Sequence, residues 1–228
     1  MMKFTFKLAC LSLILAIAHF GGRAQENSVA QTPVTSAKKD GKDAALAYKE
    51  LLGKVQNGDL SVDFKALRFA FADAENTKAL DEDRGARYKM FKALSDKKYK
   101  DALKMAEDGL KKAYVDANLH FVAHTANKEL GNFEKADFHK KVLTKILDSI
   151  QNGGDGKTAQ TAFMVINVDE EYTLLRFLGY QMQSQELDKT EGHTFDVLIV
   201  TNPKKQETRK LYFNIDKIWA GYEKTFGK

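Results

Sequence analysis

Cysteine is almost absent from this sequence, and its single occurrence, Cys10, lies in a segment that we expect to be removed. A basic start precedes the apolar run Leu8 to Ala18, and small residues then lead up to Ala24. This order predicts a signal peptide over residues 1–24 that is cleaved after Ala24. The mature chain then has no thiol, which excludes disulfides, thiol catalysis and cysteine-based zinc sites.

Long apolar runs are also missing. A permanent membrane-spanning helix needs about 20 apolar residues, and the run Leu8 to Ala18 is far shorter. A lipoprotein would have a small-residue box directly before its cysteine, whereas here Lys7-Leu8-Ala9 precedes Cys10. We therefore expect neither a lipid anchor nor a membrane span in the mature chain, and we predict a periplasmic or secreted protein.

Charge of one sign is not concentrated in any part of the sequence. The chain has 36 basic and 31 acidic residues, a net charge of +5. Three of the basic residues, Lys3, Lys7 and Arg23, lie in the predicted signal peptide, so the mature chain is closer to neutral. Lysines and acids are interspersed elsewhere, which is typical of solvated helix faces. We expect no nucleic-acid partner, because such a partner requires clustered basic charge.

Composition then divides the mature chain. Residues 25–42 hold almost no large apolar side chain, which predicts a disordered leader. Apolar residues from Leu46 to Val55 recur at helical spacing and predict a helix that begins near Asp43 and ends at Asn57-Gly58-Asp59. A second short helix follows, with Phe64, Leu67, Phe71 and Ala72 as its apolar residues. The acidic stretch Glu75 to Gly85 predicts a loop before a continuous helical region that extends to Ile150.

A short sequence pattern is repeated within that helical region. Tyr99-Lys100-Asp101-Ala102 recurs as Phe133-Glu134-Lys135-Ala136, 34 residues later. An aromatic residue followed three positions on by alanine is typical of the second helix of a tetratricopeptide hairpin, and 34 is the period of that repeat. Leu130-Gly131-Asn132-Phe133 resembles the turn between its helices, with Asn132 as N-cap. Two copies are too few for a free-standing solenoid, so residues 43–150 predict tetratricopeptide-like hairpins that neighbouring helices close off.

Residues 151–228 have a different pattern. The glycine-rich break Gln151 to Gly156 precedes segments with strand-like composition, and acids followed by a glycine stop mark one helix. The predicted elements are a strand over Thr161 to Val168, a helix from Asp169 to Gly179, and strands over Gln181 to Leu187, Thr194 to Thr201 and Arg209 to Ile215. The fold class is therefore α+β: N-terminal helical hairpins followed by a small, mostly antiparallel sheet with one helix, which we expect to pack as one unit.

Several short motifs together resemble one known family. They are Tyr48-x-x-Leu51-Leu52, Val62-Asp63-Phe64-x-x-Leu67-Arg68, Gly154-Asp155-Gly156-Lys157, Glu170-Glu171-Tyr172 and Leu211-Tyr212-Phe213-Asn214-Ile215. The sequence from about Asp43 to Trp219 is similar to domain-of-unknown-function family 4919, a family of secreted bacterial proteins. The resemblance implies secretion and one co-occurring unit, and it supplies no activity, cofactor or catalytic residue.

Histidine forms the one constellation with possible metal chemistry. His120 and His124 are four residues apart on one predicted helix, so their rings project from the same side. His139 lies on the next helix, within the apolar stripe of Phe133, Ala136, Leu143 and Leu147. Three imidazoles and a water would form an open zinc site. The alternative is that His120 and His124 flank the core while His139 packs, which the sequence favours because Phe121 stands where a zinc protease needs glutamate.

Two other patterns have simpler explanations. Gly153 to Thr158 superficially resembles a phosphate-binding loop, but position 151 is glutamine and the segment leads from helix to strand, so we interpret it as a plain turn. The acids of Asp81-Glu82-Asp83 and Asp169-Glu170-Glu171 are candidates for acid–base pairs. We interpret them as a solvated loop and a helix start. The sequence has neither a nucleophile elbow nor a dinucleotide glycine pattern.

The leading functional hypothesis is therefore a non-enzymatic exported module that binds a protein or peptide partner and needs no cofactor, because helical hairpins offer a concave surface. The alternative is a hydrolase that uses the cluster of His120, His124 and His139, with zinc as a possible cofactor. A third reading is a scaffold component of the cell envelope.

Overall fold

The computed structural model describes residues 41–74 and 84–220. The predicted signal peptide, all but the last two residues of the predicted leader, the acids at 81–83 and most of the predicted loop lie outside these residues. Within the described ranges, none of the helices combines the length and the apolar character that crossing a bilayer requires.

Helices make up most of the described residues before residue 152 and a sheet follows, which confirms the predicted α+β class. The helices before the sheet are α1 (Gly41–Gln56), α2 (Phe64–Asp73), α3 (Arg84–Ser95), α4 (Tyr99–Leu110), α5 (Ala117–Glu129) and α6 (Phe133–Gln151). The C-terminal part comprises β1 (Phe163–Met164), α7 (Val168–Leu178), β2 (Gln181–Thr190), β3 (His193–Asn202) and β4 (Glu207–Asn214). Residues 41–42 and 84–85 are helical, although the sequence predicts a leader and a loop there.

Local side-chain chemistry determines several helix ends. The carboxylate of Asp63 caps α2, because it accepts hydrogen bonds from the backbone N–H groups of Lys65 and Ala66 at 2.8 and 3.0 Å. At the C-terminal end of α7, Gly179 terminates the helix in a left-handed conformation with φ 76°. The end at Gly179 agrees with the sequence-based boundary.

The repeat at a spacing of 34 residues is also visible in the backbone conformation. α4 begins at Tyr99 and α6 at Phe133, and the turns before them place Lys97 and Gly131 in the left-handed region, with φ of 60° and 80°. In each copy, the residue after the left-handed one donates its N–H to a carbonyl five residues earlier at 2.8 Å. The alanines of both copies are buried. The two turns are therefore equivalent, while membership of the tetratricopeptide class stays a prediction.

Two predictions about the second copy of the repeat are wrong. Asn132 occupies the N-cap position of α6, but its side chain accepts no hydrogen bond from that helix. It instead donates to Oδ1 of Asn127, a buried residue of α5, at 3.1 Å. Phe133, which we placed in the apolar stripe of α6, is 69% exposed. The turn is therefore fixed by α5 and not by a side-chain cap.

The left-handed turns give a stability test. A lysine in the left-handed region costs roughly 1 kcal/mol that glycine avoids, so Lys97→Gly is expected to raise the free energy of unfolding by about 0.5–1 kcal/mol. Gly131→Ala is expected to lower it by about 1 kcal/mol, and no atom lies within 4 Å of the added Cβ. Urea unfolding followed by circular dichroism measures both, and shifts of the same sign would contradict the equivalence of the two turns.

The sheet has the strand order β1-β4-β3-β2. β2, β3 and β4 form the predicted antiparallel meander, and β1 joins β4 in parallel. The predicted strand over Thr161 to Val168 is mostly wrong, since only Phe163–Met164 pairs. The reason is local: Oδ1 of Asn167 accepts the backbone N–H of Glu170 at 3.0 Å, and this cap starts α7 at Val168.

Buried side chains lie on both faces of the sheet. The larger cluster joins the helices to one face of the sheet and includes Leu67, Ile146, Leu198 and Phe213. A smaller cluster of Ala162, Phe195 and Val197 packs on the other face. Glycine is needed at position 156, because its φ is 69° and a Cβ there would lie 2.3 Å from the ring of Phe163, a member of the larger cluster. In contrast, β2 contributes no buried residue.

Candidate functional site

The histidine cluster lies between α5 and α6. His120 is fully buried, with its Nε2 2.7 Å from the carbonyl oxygen of Tyr114 and its Nδ1 3.0 Å from Nδ1 of His139. His124 is partly exposed, and its Nδ1 lies 2.8 Å from the carbonyl oxygen of Ala136. The structure therefore brings His120 and His139 into contact, while His124 binds the backbone of α6.

These contacts determine which ring nitrogens hold protons. A carbonyl oxygen can only accept, so Nε2 of His120 donates to Tyr114 and Nδ1 of His120 holds a lone pair. Nδ1 of His139 must then donate to Nδ1 of His120. By the same argument, Nδ1 of His124 donates to the carbonyl of Ala136. In their neutral forms, His124 and His139 therefore hold their lone pairs on Nε2.

This arrangement bears on the predicted zinc site. Both ring nitrogens of His120 already make hydrogen bonds within the protein. Within residues 41–74 and 84–220, no three His, Cys, Asp or Glu side chains are grouped to hold a metal ion. A zinc ion bound by His120, His124 and His139 would have to replace the bond between His120 and His139. The three-histidine site stays a prediction.

Burial keeps the histidine pair uncharged. Desolvation and, after it, the neighbouring His139 lower the pKa of His120 to about 3. Desolvation, then His124 and Lys135, lower the pKa of His139 to about 4. Both rings are therefore neutral at pH 7, and the pair serves as a hydrogen-bonded contact between α5 and α6.

A buried ion pair links α2 to α7. Nε and Nη2 of Arg68 donate to the two carboxylate oxygens of Glu170 at 2.8 and 2.5 Å, and neither side chain is more than 4% exposed. Ser149 and the carbonyl of Met164 accept the remaining hydrogen bonds of the guanidinium, at 3.1 and 2.9 Å. The backbone N–H of Ile166 donates to the same carboxylate at 2.9 Å. The interpretation of Glu170 as a solvated helix-start acid is therefore wrong.

The next residue, Glu171, is buried without a counter-ion. Its side chain is fully buried, and within the described residues neither carboxyl oxygen makes an acceptable hydrogen bond. The carboxyl of Asp196 on β3 lies close enough to affect the titration of Glu171. Desolvation, then Asp196 and Glu170, raise the pKa of Glu171 to about 9. Glu171 is therefore protonated at pH 7, and its interpretation as a solvated acid is also wrong.

A surface cavity of about 390 Å³ lies at the turn between β2 and β3. We call it the hairpin cavity, and its wall includes Lys189, His193, Thr194, Asp216 and Trp219. Nδ1 of His193 lies 2.6 Å from Oδ2 of Asp216, and the imidazole is 58% exposed. Because a carboxylate accepts, this nitrogen donates, and Nε2 of the neutral ring holds a lone pair.

The carboxylate of Asp216 is held by more than the histidine. Its Oδ1 accepts the backbone N–H of Thr194 at 2.8 Å, and its Oδ2 also accepts Nδ2 of Asn214 at 3.1 Å. A fixed carboxylate that orients an imidazole is the arrangement by which a histidine becomes a positioned base or ligand-binding group. No serine or cysteine is among the described residues of the wall.

The outer edge of β2 is the second candidate surface. β2 is the last strand in the order β1-β4-β3-β2, so among the described strands it has one neighbour only. Its first seven residues are exposed, and they include Met182 at 39% and Leu187 at 53% exposure. A register shift between Met182 and Ser184 marks a bulge near its start. The strand at the opposite edge, β1, has only two residues.

Comparison with known proteins gives a match to one family model, described as a domain of unknown function, DUF4919, over residues 37–224. The chain belongs to the DUF4919 family. No curated protein and no solved structure matches the chain. The resemblance found in the sequence is thereby confirmed at the level of the family.

The motifs that resemble the DUF4919 family contain the interior groups described above. Arg68 ends the second motif, and Glu170 and Glu171 begin a later one. The hairpin cavity, in contrast, was not predicted from the sequence. His193 and Asp216 are 23 residues apart and carry no motif spacing, so only the pairing of β3 with β4 brings them together.

Proposed function

We propose that this member of the DUF4919 family is a non-enzymatic, periplasmic or secreted module that binds a protein or peptide partner by adding an extended segment of it to the edge of β2. The observation that supports this is the length and exposure of that edge, ten residues without a buried side chain. Edge strands present unpaired backbone N–H and C=O groups. Peptide-binding domains use such edges for strand addition.

One side of β2 offers apolar contacts. Residues directly opposite each other in an antiparallel pair lie on the same face of the sheet. Leu187 is opposite the buried Asp196, and Met182 is opposite the buried Val200. Both exposed apolar side chains therefore lie on the face that the helices cover elsewhere. A partner strand would place its own apolar residues against them.

The other side of β2 is acidic. Glu186 and Asp188 lie on the face opposite to Leu187 and are both at or near the surface. Glu186 is 59% exposed and contacts Nζ of Lys210 at 3.2 Å. A partner strand with basic residues at alternate positions would complement this face, since opposite charges across a strand pair are stabilising.

A second copy of this chain fits the edge poorly. Antiparallel self-pairing centred on Leu187 would bring the two copies of Leu187 together. It would also place Glu186 opposite Asp188 of the second copy, and like charges directly opposite are destabilising. We therefore propose a different chain as the partner, with alternating apolar and basic residues.

Strand addition can be tested with a fluorescently labelled ten-residue peptide of alternating valine and lysine, by fluorescence anisotropy. Leu187→Lys is expected to weaken its binding at least tenfold, because it removes an apolar contact and adds like charge. The matched control is Leu46→Lys, since Leu46 on α1 is also an exposed leucine, at 67%. It should leave the affinity unchanged.

Equal loss of binding in both variants would contradict the assignment to β2. So would undiminished binding of a peptide whose lysines are replaced by glutamate. The hydrolase alternative has less support, because the pair of His120 and His139 is neutral and hydrogen-bonded internally. It would gain support from a hydrolytic activity that His139→Ala abolishes.

A further inference from the structure

We propose that the hairpin cavity binds a carboxylate group of the peptide that pairs with β2. This inference rests on the proposed strand addition and adds a second, chemically distinct anchor to it. The two surfaces are continuous, because Lys189 belongs both to β2 and to the wall of the cavity. A strand that pairs along β2 therefore reaches the cavity at the Thr190 end.

The charges on the wall favour an anion. The acid, Asp216, already accepts hydrogen bonds from His193, Thr194 and Asn214. Its carboxylate oxygens are thus already hydrogen-bonded within the protein. Lys189 is the cation of the wall, and no described carboxylate lies within 4.0 Å of its Nζ, which sits 4.8 Å from the centroid of the Trp219 ring. An incoming carboxylate would supply the anionic partner for Lys189.

His193 provides a second, oriented contact. Asp216 fixes its ring through Nδ1, and Nε2 makes no hydrogen bond with any described residue. Because Nδ1 is held by Asp216, Nε2 is the ring nitrogen left for a ligand, and in the imidazolium form it donates to a carboxylate oxygen. Two donors on one wall, an ammonium and an imidazolium, suit the two oxygens of a carboxylate.

The direction of the peptide decides which carboxylate arrives. A peptide parallel to β2 ends near Thr190 and would offer its C-terminal carboxylate. An antiparallel peptide begins there and would offer an aspartate or glutamate side chain near its N-terminus. Both present the same chemical group, and they are distinguished by amidation of the C-terminus.

The chain contains a built-in reporter for this test. Trp219 is its single tryptophan and lies on the cavity wall, so intrinsic fluorescence reports directly on occupancy. Three valine–lysine peptides are titrated: one with a free C-terminus, one amidated, and one amidated with an N-terminal glutamate. Sodium acetate alone, against sodium chloride at equal ionic strength, is the fourth titrant.

A carboxylate-bearing peptide is expected to bind at least fivefold more tightly than the amidated one without glutamate. Lys189→Gln and His193→Gln should each abolish this difference, and His193→Gln should leave binding of the amidated peptide intact. Lys205→Gln, an exposed lysine in the turn between β3 and β4, is the control and should preserve the difference.

The outcomes separate the two proposals. If all three peptides bind equally and the fluorescence of Trp219 does not change, strand addition stands and the carboxylate site is overturned. If no peptide binds but acetate changes the fluorescence in a manner that requires Lys189, the carboxylate site stands without strand addition. A dimer that Leu187→Lys dissociates would show that a second copy occupies β2, and would overturn both.

Discussion

Glu170→Gln is expected to lower the free energy of unfolding by about 3–5 kcal/mol, the range for removing one partner of a buried ion pair. The guanidinium of Arg68 is fully buried, so loss of the carboxylate leaves its charge without compensation. The glutamine amide also presents an N–H₂ group where Arg68 needs an acceptor. Urea unfolding at pH 7, followed by far-UV circular dichroism, measures the loss.

A double substitution tests the cause. When Arg68→Met is combined with Glu170→Leu, no charge remains buried, and the loss should be smaller than the sum of the single losses, as found when buried ion pairs are replaced by apolar residues. Strict additivity, or a loss under about 1 kcal/mol for Glu170→Gln, would show that the pair does not stabilise the contact between α2 and α7.

The same substitution one residue later should act in the opposite direction. Glu171 has a pKa of about 9 in the folded protein against an ordinary value near 4.5. Between these values, the folded state retains a proton that the unfolded state has lost, so stability falls as pH rises. Glu171→Gln abolishes this difference in proton binding between the folded and unfolded states. Its amide carries no charge at any pH in this range.

The expected gain for Glu171→Gln is about 3 kcal/mol at pH 7, and it grows by about 1.4 kcal/mol for each pH unit up to pH 9. Unfolding curves of both proteins at pH 7, 8 and 9 give the difference directly. The histidines do not interfere in this range, because the low pKa values of His120 and His139 affect stability only below about pH 6.5. A pH-independent difference would refute the assignment of Glu171 as a protonated acid.

The features of this fold that the sequence could predict are those that depend on residues close together in the chain. The stop at Gly179 and the equivalent starts at Tyr99 and Phe133 each depend on residues within a few positions of one another. Helical and strand spacing were sufficient to assign the α+β class and the three-stranded meander. The predicted strand before α7 failed because a cap at Asn167 outweighed the β-propensity of its neighbours.

Burial of the acids was beyond the reach of local reasoning. Asp169-Glu170-Glu171 resembles any acidic helix start, and the partner that distinguishes Glu170 is Arg68, 102 residues away. The partner of Glu171 is Asp196 on another element. Their burial depends on which helix lies over which strand, and no spacing within the sequence contains that information.

In the candidate sites, too, local features could be predicted and features that depend on distant contacts could not. The positions of His120 and His139 on consecutive helices followed from the sequence, whereas the ring nitrogens that they use depend on a carbonyl of Tyr114. The hairpin cavity requires the exact register of β3 on β4, and its histidine had no neighbour in sequence to draw attention to it. The signal peptide, the leader and the zinc hypothesis remain predictions.

The ion pair between Arg68 and Glu170 makes the packing of three helices interdependent. Arg68 of α2 donates both to Ser149 of α6 and to Glu170 of α7. If α7 moved away, a buried guanidinium would lose its counter-ion, which is strongly unfavourable. Local opening of α7 is therefore coupled to exposure of the contact between α2 and α6.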